Sequence, residues 1–271
     1  MNELDFHDKT ALINELESNL WEYWSHFGRG PGCALHDEGD TLWFETPIPI
    51  LPYNGILKFQ AENSMDQKID GLINHFNDRQ VAFFWLVHPT APLDLPNQLT
   101  ERGLQEIEIL PGMTRNLENL PEFPPLPDDI EVRKAMDESD INALPDFSAW
   151  RWNVPEEYKK TLAAILSTLE FAKPNSKAHL WQAWRNGQPI AKAGMYAGSK
   201  SAGIYAVSTK PEARGLGLAR FLTLIALKEA QTLGKTLAVL HSTPMAQSLY
   251  HSLGFEPIAD FRVFASVAGH I

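Results

Sequence analysis

The sequence has little cysteine, no long apolar run and few basic residues in its first half. Cys33 is the only cysteine among 271 residues, so no disulfide can form within the chain, which fits a reducing compartment. The longest uncharged run, residues 236–255, contains two histidines and a proline and therefore does not resemble a membrane span. Because residues 1–5 are acidic where a secretory signal would be basic, we expect a cytoplasmic protein with no membrane partner.

Acidic residues outnumber basic residues in the chain as a whole. The chain has 23 lysines and arginines against 34 aspartates and glutamates, a net charge of −11, which argues against nucleic acid as a partner. The imbalance lies in residues 1–125, which carry 7 basic and 20 acidic residues, whereas residues 126–271 carry 16 and 14. The two halves therefore differ electrostatically.

A proline-rich segment separates these halves. Four prolines fall within residues 120–129, where neither a helix nor a central strand could accommodate them. We therefore predict one domain over residues 1–120, a linker over 121–129 and a second domain over 130–271.

Hydrophobic periodicity predicts alternating strands and helices in both halves. In each half an apolar strand ends at a histidine (His88, His241) and a short helix ends at a glycine (Gly103, Gly254), which suggests an internal duplication. In the second half we predict helices at Glu138–Leu144, Glu156–Leu169, Leu216–Leu233 and Met245–Leu253, and strands at Leu180–Trp184, Pro189–Tyr196, Gly203–Thr209 and Leu237–His241. Residues Phe147–Asn153 lie between the first two of these helices.

Residues 206–220 run from a strand through a glycine loop into a long helix. Such an arrangement makes an anion site, because the first N–H groups of the helix are free and the helix dipole favours negative charge. Gly215 and Gly217 lack the third glycine of a dinucleotide fingerprint, and no Lys-Ser/Thr pair follows them as in a P-loop. The counterpart in the first half, residues 60–65, has neither glycine nor arginine, so we expect one such site per chain.

The segment Arg214-Gly215-Leu216-Gly217-Leu218-Ala219, followed by Leu249-Tyr250 and Gly254-Phe255, resembles the GNAT superfamily of acetyl-CoA-dependent N-acyltransferases. The resemblance covers residues 130–264, and the first half is similar to the degenerate N-terminal repeat of tandem GNAT proteins. It implies an α/β (α+β) fold of two GNAT-like domains, each a mixed, mostly antiparallel twisted sheet flanked by helices.

The resemblance also implies acetyl-CoA as co-substrate and a set of residues that bind it. The pyrophosphate would lie on the N–H groups of the glycine loop, and the strand before the loop would bind the pantetheine where it separates from strand 237–241. The coenzyme-binding residues would be Val207, Ser208, Thr209, Arg214, Gly215, Leu216, Gly217, Leu218, Ala219 and Arg220.

Catalytic roles follow from the same resemblance. Tyr250 matches the tyrosine that protonates the departing thiolate, although it could instead only pack its ring. Residues 201–209 hold no carboxylate that could act as general base. His241 is the best-placed titratable group, with a structural role at the strand end as the alternative. Trp150 and Trp152 would line the acceptor site, or one of them could belong to the core.

We therefore predict an acetyl-CoA-dependent N-acetyltransferase that transfers an acetyl group to a primary amine on a small molecule or peptide, without a metal. A non-catalytic acyl-CoA sensor or docking module is the alternative. A mononucleotide-binding protein is a third hypothesis, which the missing phosphate-loop lysine argues against. The sequence leaves the acceptor and the oligomeric state open.

Overall fold

The computed structural model describes residues 6–137, 140 and 142–266 and divides into two compact units. The first unit comprises the described residues of Met1–Leu20, Gly112–Phe147 and Leu169–Ile258. The second unit comprises those of Trp21–Pro111, Ser148–Thr168 and Ala259–Ile271.

Helices and strands alternate along the described chain. The α-helices are α1 (Lys9–Ser25), α2 (Met65–Asp78), α3 (Leu95–Glu101), α4 (Leu144–Trp152), α5 (Lys159–Ser167), α6 (Leu218–Thr232) and α7 (Gln247–Ser252). The strands are β1 (Ala34–Asp37), β2 (Thr41–Glu45), β3 (Gly55–Phe59), β4 (Phe84–Val87), β5 (Leu104–Asn116), β6 (Glu131–Lys134), β7 (Ala178–Arg185), β8 (Gln188–Ala197), β9 (Ser201–Thr209), β10 (Leu237–His241) and β11 (Glu256–Ser266). Short 3-10 helices cover His26–Arg29, Glu156–Tyr158, Pro211–Ala213 and Pro244–Ala246.

The first unit is built on strands in the order β5-β10-β9-β8-β7-β6. All neighbours are antiparallel except β9 and β10, which are parallel and joined through α6. Helix α6 packs against one face of this sheet, where Leu222 and Leu227 share a core with Ala191 and Ala193 of β8. Because side chains alternate along a strand, the residues between those alanines face the opposite side.

A two-residue turn joins β7 and β8. Asn186 and Gly187 both adopt positive φ, 51° and 72°. Two consecutive left-handed residues make a turn whose twist matches a hairpin, and asparagine and glycine tolerate that conformation best. The predicted Asn-Gly hairpin is confirmed.

The second unit contains strands in the order β1-β2-β3-β4-β11. Strands β3 and β4 are parallel and the other neighbours are antiparallel. Helix α2 contributes Ile69 and Phe76 to a core that includes Trp85 of β4. The predicted fold class of mixed, mostly antiparallel sheets flanked by helices is therefore confirmed.

Most predicted elements of the second half agree with the structure to within a few residues, but one segment does not. Most of the segment Phe147–Asn153, which we expected between two helices, belongs to helix α4. Apolar side chains lie all around this helix, so it lacks the one-sided pattern that identifies helices from sequence. Pro145 is compatible with the helix because it lies in the first turn. The predicted helix Glu138–Leu144 lies partly outside the described residues.

The proline-rich segment follows the surface of α6. Phe123 packs on Phe221 with ring centroids 5.0 Å apart, and the Lys228 ammonium lies 4.3 Å from the Phe123 centroid. Residues 121–129 contain no helix or strand, as their prolines require. In the part of the chain that the structure describes, no helix is both long enough and apolar enough to traverse a lipid bilayer.

Candidate functional site

A bulge interrupts β9 just before the glycine loop. Tyr205 pairs with Gly194 and Ser208 pairs with Lys192, so three steps along β9 match two along β8. Ala206 takes up the extra length with a φ of 54°, a left-handed conformation that costs an alanine about 1 kcal/mol or more. Strain of this kind persists where surrounding structure holds it and is common at functional sites.

Beyond the bulge, β9 separates from β10. The parallel pairing joins Ser201–Gly203 to Leu237–Val239 and ends there, so no β10 residue pairs with residues 204–209. The Thr209 hydroxyl is buried and has no hydrogen-bond partner among the described residues. The gap therefore leaves strand backbone without a β10 partner, and the same end of β9 holds one buried hydroxyl that is unsatisfied among the described residues.

The glycine loop is open on its outer side. Gly215 and Gly217 have φ values of 80° and 75°, and a Cβ at either would meet no atom within 4 Å. Glycine is therefore required by the backbone conformation, and the open space leaves room for a ligand to approach the backbone. Arg214 is exposed, and its guanidinium makes no hydrogen bond or ion pair within the described residues.

Helix α6 begins with free N–H groups. Its first intrahelical hydrogen bond runs from Phe221 N to Gly217 O, 3.0 Å, so Leu218, Ala219 and Arg220 have no helical acceptor for their N–H groups. No acidic side chain lies in the first turn. Donors, dipole and open space together fit a phosphate-type anion such as the pyrophosphate of coenzyme A.

Arg220 points its guanidinium elsewhere. Its Nη1 donates to the carbonyl oxygen of Ser252 at 3.1 Å and to the Ser252 hydroxyl at 2.6 Å, at the end of α7. An arginine at that place satisfies the last carbonyl groups of the short helix. Arg220 is therefore available to an anion through its backbone N–H, with the side chain bound to α7.

Tyr250 lies on α7 within the core of the first unit. It is 7% exposed, and its ring meets Phe255 edge-on at 5.9 Å. Burial raises the pKa of the Tyr250 phenol to about 12. The hydroxyl therefore keeps its proton throughout the physiological range and can donate it.

His241 ends β10, opposite Gly112 of β5. Both ring nitrogens are buried. Burial lowers the pKa of His241 to about 3, so the imidazole is neutral at pH 7. A neutral imidazole has a lone pair to accept a proton, but the buried cation that would result is unfavourable.

Trp150 and Trp152 lie on α4, 43% and 42% exposed. The guanidinium of Arg151 stacks over the Trp152 ring at 4.4 Å. Both tryptophans belong to the second unit, whereas β9, α6 and Tyr250 belong to the first. Their assignment to the acceptor site therefore stays a prediction.

The corresponding gap in the first half of the chain contains a side chain. Strands β3 and β4 pair only at Gly55 with Phe84 and at Ile56 with Trp85. Past that point the imidazole Nε2 of His88, which is 2% exposed, accepts a hydrogen bond from the backbone N–H of Phe59 at 3.2 Å. This hydrogen bond occupies strand backbone that the matching gap of the first unit leaves available.

Sequence reasoning missed the bulge and two buried polar residues of the first unit, Gln182 and Lys192, which are 2% and 5% exposed. Nothing in the letters Ala206-Val207 signals a left-handed residue. A lysine inside the otherwise apolar strand Pro189–Tyr196 was a usable signal, because lysine is almost never fully buried without a partner. The described residues contain no group of three His, Cys, Asp or Glu side chains arranged to hold a metal ion.

Comparison with known families identifies the class of this domain. Residues 144–269 match the family model described as acetyltransferase (GNAT) domain. A comparison with curated proteins finds no match.

Solved structures extend the similarity over the whole chain. A GCN5-related N-acetyltransferase from Kribbella flavida has a TM-score of 0.66 and 17% identity, covering 93% of this chain and 97% of that one. A tandem GNAT protein from the clavulanic acid biosynthesis pathway has a TM-score of 0.62 and 12% identity, covering 99% and 98%. A glucosamine N-acetyltransferase region in a fungal multi-domain GH3 β-N-acetylglucosaminidase has a TM-score of 0.60 and 13% identity, covering 93% of this chain and 34% of that one.

Residues 144–269 are thus similar to the GNAT acetyltransferase domain family. The similarity to a tandem GNAT protein over nearly the full length shows that the chain as a whole has that fold. The resemblance inferred from the glycine loop and the Tyr250 segment is confirmed.

Proposed function

We propose that the chain is an acetyl-CoA-dependent N-acetyltransferase with one active site, in the domain of residues 130–271. The observation that carries this proposal is the adjacency of three features: the bulge at Ala206, the gap between β9 and β10, and the open glycine loop leading into α6. Acetyl-CoA has a pantetheine arm that ends in the thioester and a pyrophosphate at the other end of that arm. The gap would hold the arm, and the anion site beside it would hold the pyrophosphate.

Acetyl-CoA would supply a thioester whose carbonyl carbon is open to attack by an amine. The N–H groups of Gly215, Gly217, Leu218 and Ala219 would bind the pyrophosphate, with Arg214 adding a charge-assisted contact and Leu216 and Arg220 completing the loop. Val207, Ser208 and Thr209 would hold the arm through strand backbone and the unsatisfied Thr209 hydroxyl. These residues bind and orient; they do not react.

Val207 follows the bulge and is our candidate for stabilising the carbonyl oxygen as negative charge develops there. A backbone N–H aimed at an oxyanion is commonly worth a few kcal/mol in such sites. The left-handed Ala206 turns the backbone away from the regular hydrogen-bond ladder of the sheet, so that backbone groups of this segment would be available to bind a ligand.

Tyr250 would donate its proton to the sulfur as the thiol leaves. Burial that raises the phenol pKa to about 12 also raises the basicity of a thiolate formed in the same surroundings, so the transfer stays feasible. His241 is the candidate acceptor for the amine's proton. Because the pKa of His241 is lowered, two routes compete with it. In one the amine transfers its proton to water, and in the other the amine enters the site already neutral.

The acceptor would be a primary amine on a small molecule or peptide, with Trp150 and Trp152 in its binding site. One structural neighbour is described as a glucosamine N-acetyltransferase region, and glucosamine is a small molecule that carries a primary amine. The first half of the chain would bind no coenzyme, since its helix α2 has Asp66 in the first turn and its gap is bridged by His88.

The alternative is a non-catalytic acyl-CoA sensor. The specific observations in its favour are the lowered pKa of His241 and the absence of a carboxylate on β9. Thiol release from acetyl-CoA, measured with a panel of primary amines and with mass spectrometry of the acceptor, separates the two. Release with an acceptor mass gain of one acetyl group supports the enzyme. Coenzyme binding without release from any amine supports the sensor.

A further inference from the structure

The first helix of the chain reaches β9 through a buried asparagine. Asn19 of α1 is 1% exposed and belongs to the first unit, as β9 does. Its Nδ2 donates hydrogen bonds to the Ser201 carbonyl oxygen at 3.1 Å and to the Ser201 hydroxyl at 3.2 Å. Its Oδ1 accepts a hydrogen bond from the Tyr205 hydroxyl at 2.9 Å. One side-chain amide thus binds two positions of β9, and we call these three residues the Asn19 clamp.

The Asn19 clamp spans the point where β9 separates from β10. Ser201 is paired with β10, and that pairing ends two residues later at Gly203. Tyr205 lies beyond this end and directly before the left-handed Ala206. The clamp therefore joins the part of β9 that pairs with β10 to the part that borders the bulge.

Helix α1 approaches the face of β9 that lies opposite α6. Ala202 and Ile204 share the core that contains α6, and side chains alternate along a strand. Ser201, Gly203 and Tyr205 therefore lie on the other face, where Asn19 binds them or passes close to them.

Two glycines make room for the clamp. A Cβ at Gly203 would overlap Asn19 Oδ1 and the Tyr205 ring, and a Cβ at Gly198 would lie 2.5 Å from Asn19 Nδ2. Neither glycine has a left-handed backbone, so the close approach of the Asn19 side chain is what requires glycine at both positions.

A buried hydrogen-bonded contact of this kind fixes one backbone conformation. Removing either partner of a buried hydrogen bond leaves the other unsatisfied, so the bonded arrangement is strongly preferred. A left-handed alanine such as Ala206 is strained and persists only where its surroundings hold it. Because the clamp binds the residue directly before Ala206, it is a contact that can hold the bulge.

We propose that Asn19 is a positioning residue for acyl transfer, acting through Tyr205 and the bulge at Ala206 on the segment Val207–Thr209. This inference rests on the proposed function, which assigns that segment to the coenzyme arm and Val207 to the developing oxyanion. Asn19 lies outside residues 144–269, which match the acetyltransferase family model. The active site of the second half therefore depends on the first helix of the chain.

Loss of the clamp should affect turnover more than coenzyme affinity. Most of the proposed coenzyme contacts lie at the glycine loop and the start of α6, beyond the bulge. A backbone N–H that stabilises an oxyanion contributes in the transition state, and a displacement of about 1 Å can cost about 100-fold in rate. We therefore expect a lower kcat and a nearly unchanged Kd for acetyl-CoA.

Tyr205→Phe is the smallest change that tests this, because it removes one hydroxyl and keeps the ring. With the full chain, kcat for thiol release from acetyl-CoA should fall at least 10-fold, while the Kd measured by calorimetry stays within threefold. Leu227→Val shortens a fully buried side chain in the second half of α6, controls for lost stability and should keep kcat within twofold. An unchanged kcat in Tyr205→Phe, a Kd that rises as much as kcat falls, or an equal fall of kcat in Leu227→Val would overturn the proposal.

A double-mutant cycle with Asn19→Ala shows whether Tyr205 acts through Asn19. Both changes break the same hydrogen bond, so adding Tyr205→Phe to Asn19→Ala should lower kcat by less than a further twofold. Independent contributions would multiply, and the double variant would then be at least 10-fold slower than Asn19→Ala alone. That result would remove Asn19 from the positioning role. If urea denaturation shows that Asn19→Ala does not fold, Tyr205→Phe and its control decide alone.

Failure of the proposed function has a different signature. Amide hydrogen exchange, followed by mass spectrometry, reports on the bulge without any substrate. Peptides covering residues 204–210 should exchange at least 10-fold faster in Tyr205→Phe than in the wild type, and peptides covering β7 should not change. If the wild type releases no thiol with any amine but this exchange rises, acyl transfer is wrong and the clamp still holds the bulge. Unchanged exchange at residues 204–210 overturns the clamp in either case.

Discussion

Gly217 and Ser64 adopt the same left-handed conformation at the start of matching helices in the two halves of the chain. Gly217 precedes α6 with φ 75° and ψ 4°, and Ser64 precedes α2 with φ 55° and ψ 33°. Both helices thus begin after a left-handed residue, while the glycines and the arginine are found before α6 and not before α2. Helix α2 also has Asp66 in its first turn, which repels an anion. The features of an anion site are therefore present at the start of α6 and not at the start of α2.

Gly217→Ala should weaken coenzyme binding more than it weakens the fold. The new Cβ would project into the open space where we place the pyrophosphate, so we expect at least a 10-fold rise in the Kd for acetyl-CoA. The left-handed φ adds a stability loss of about 1–2 kcal/mol.

Gly234→Ala is the control, because Gly234 has the same φ of 75° and the same open surroundings at the other end of α6. It should lose similar stability in chemical denaturation and keep its affinity in calorimetry. Equal loss of affinity in the two variants would assign the effect to the fold instead of to the site.

Arg214→Glu should raise the Kd for acetyl-CoA by about 10–100-fold, since it removes a charge-assisted contact and adds repulsion towards phosphate. Because Arg214 is exposed and makes no described ion pair, the fold should be unchanged. Arg29→Glu changes the net charge equally at an exposed position of the second unit and should leave the Kd within twofold. Unchanged affinity in Arg214→Glu would remove this residue from the binding site.

Tyr250→Phe should lower kcat by about 10²–10⁴-fold, the usual range for loss of a general acid, with little change in acetyl-CoA affinity. The ring contact with Phe255 is kept, so stability should change little. Steady-state kinetics measures the change in kcat, and calorimetry of coenzyme binding measures the affinity for acetyl-CoA. An unaltered kcat would leave Tyr250 with only its packing role.

His241 should make the protein less stable in acid. Its pKa is lowered by burial from 6.5 to about 3, so between these values the unfolded chain holds a proton that the folded chain does not. The stability that the neutral histidine contributes is present above pH 6.5 and is lost as the pH falls towards 3, with a slope of at most about 1.4 kcal/mol per pH unit.

His241→Asn should flatten this dependence, as measured by urea denaturation from pH 4 to pH 7. His251→Asn, at an exposed histidine on α7, is the matched control. If wild type and His241→Asn show parallel pH profiles, the histidine is not held neutral by burial.

The sequence predicted the backbone of the glycine loop better than that of the strand and helix near it. Gly215, Gly217 and Tyr250 could be recognised because each is required by a local rule: positive φ, open approach and a fixed spacing after the helix. Ala206 could not be recognised, since an alanine with φ 54° is imposed by the pairing of β9 with β8 and not by its own preference. Helix α4 was missed because its apolar residues lie on all sides.

Histidines at strand ends show the same limit. His88 and His241 stand at matching places in the sequence, yet the His88 ring accepts a hydrogen bond from the backbone N–H of Phe59, whereas His241 lies in β10 opposite Gly112 of β5. Only the packing around each ring distinguishes them, and packing between distant segments is not encoded in local patterns.

A crystal structure of the full chain with coenzyme A is the decisive test of the proposed coenzyme site. We expect one coenzyme per chain, with pyrophosphate oxygens about 3 Å from backbone nitrogens of residues 215–220 and the arm between β9 and β10. Coenzyme bound beside helix α2 of the first half, or away from the gap next to Ala206, would contradict it.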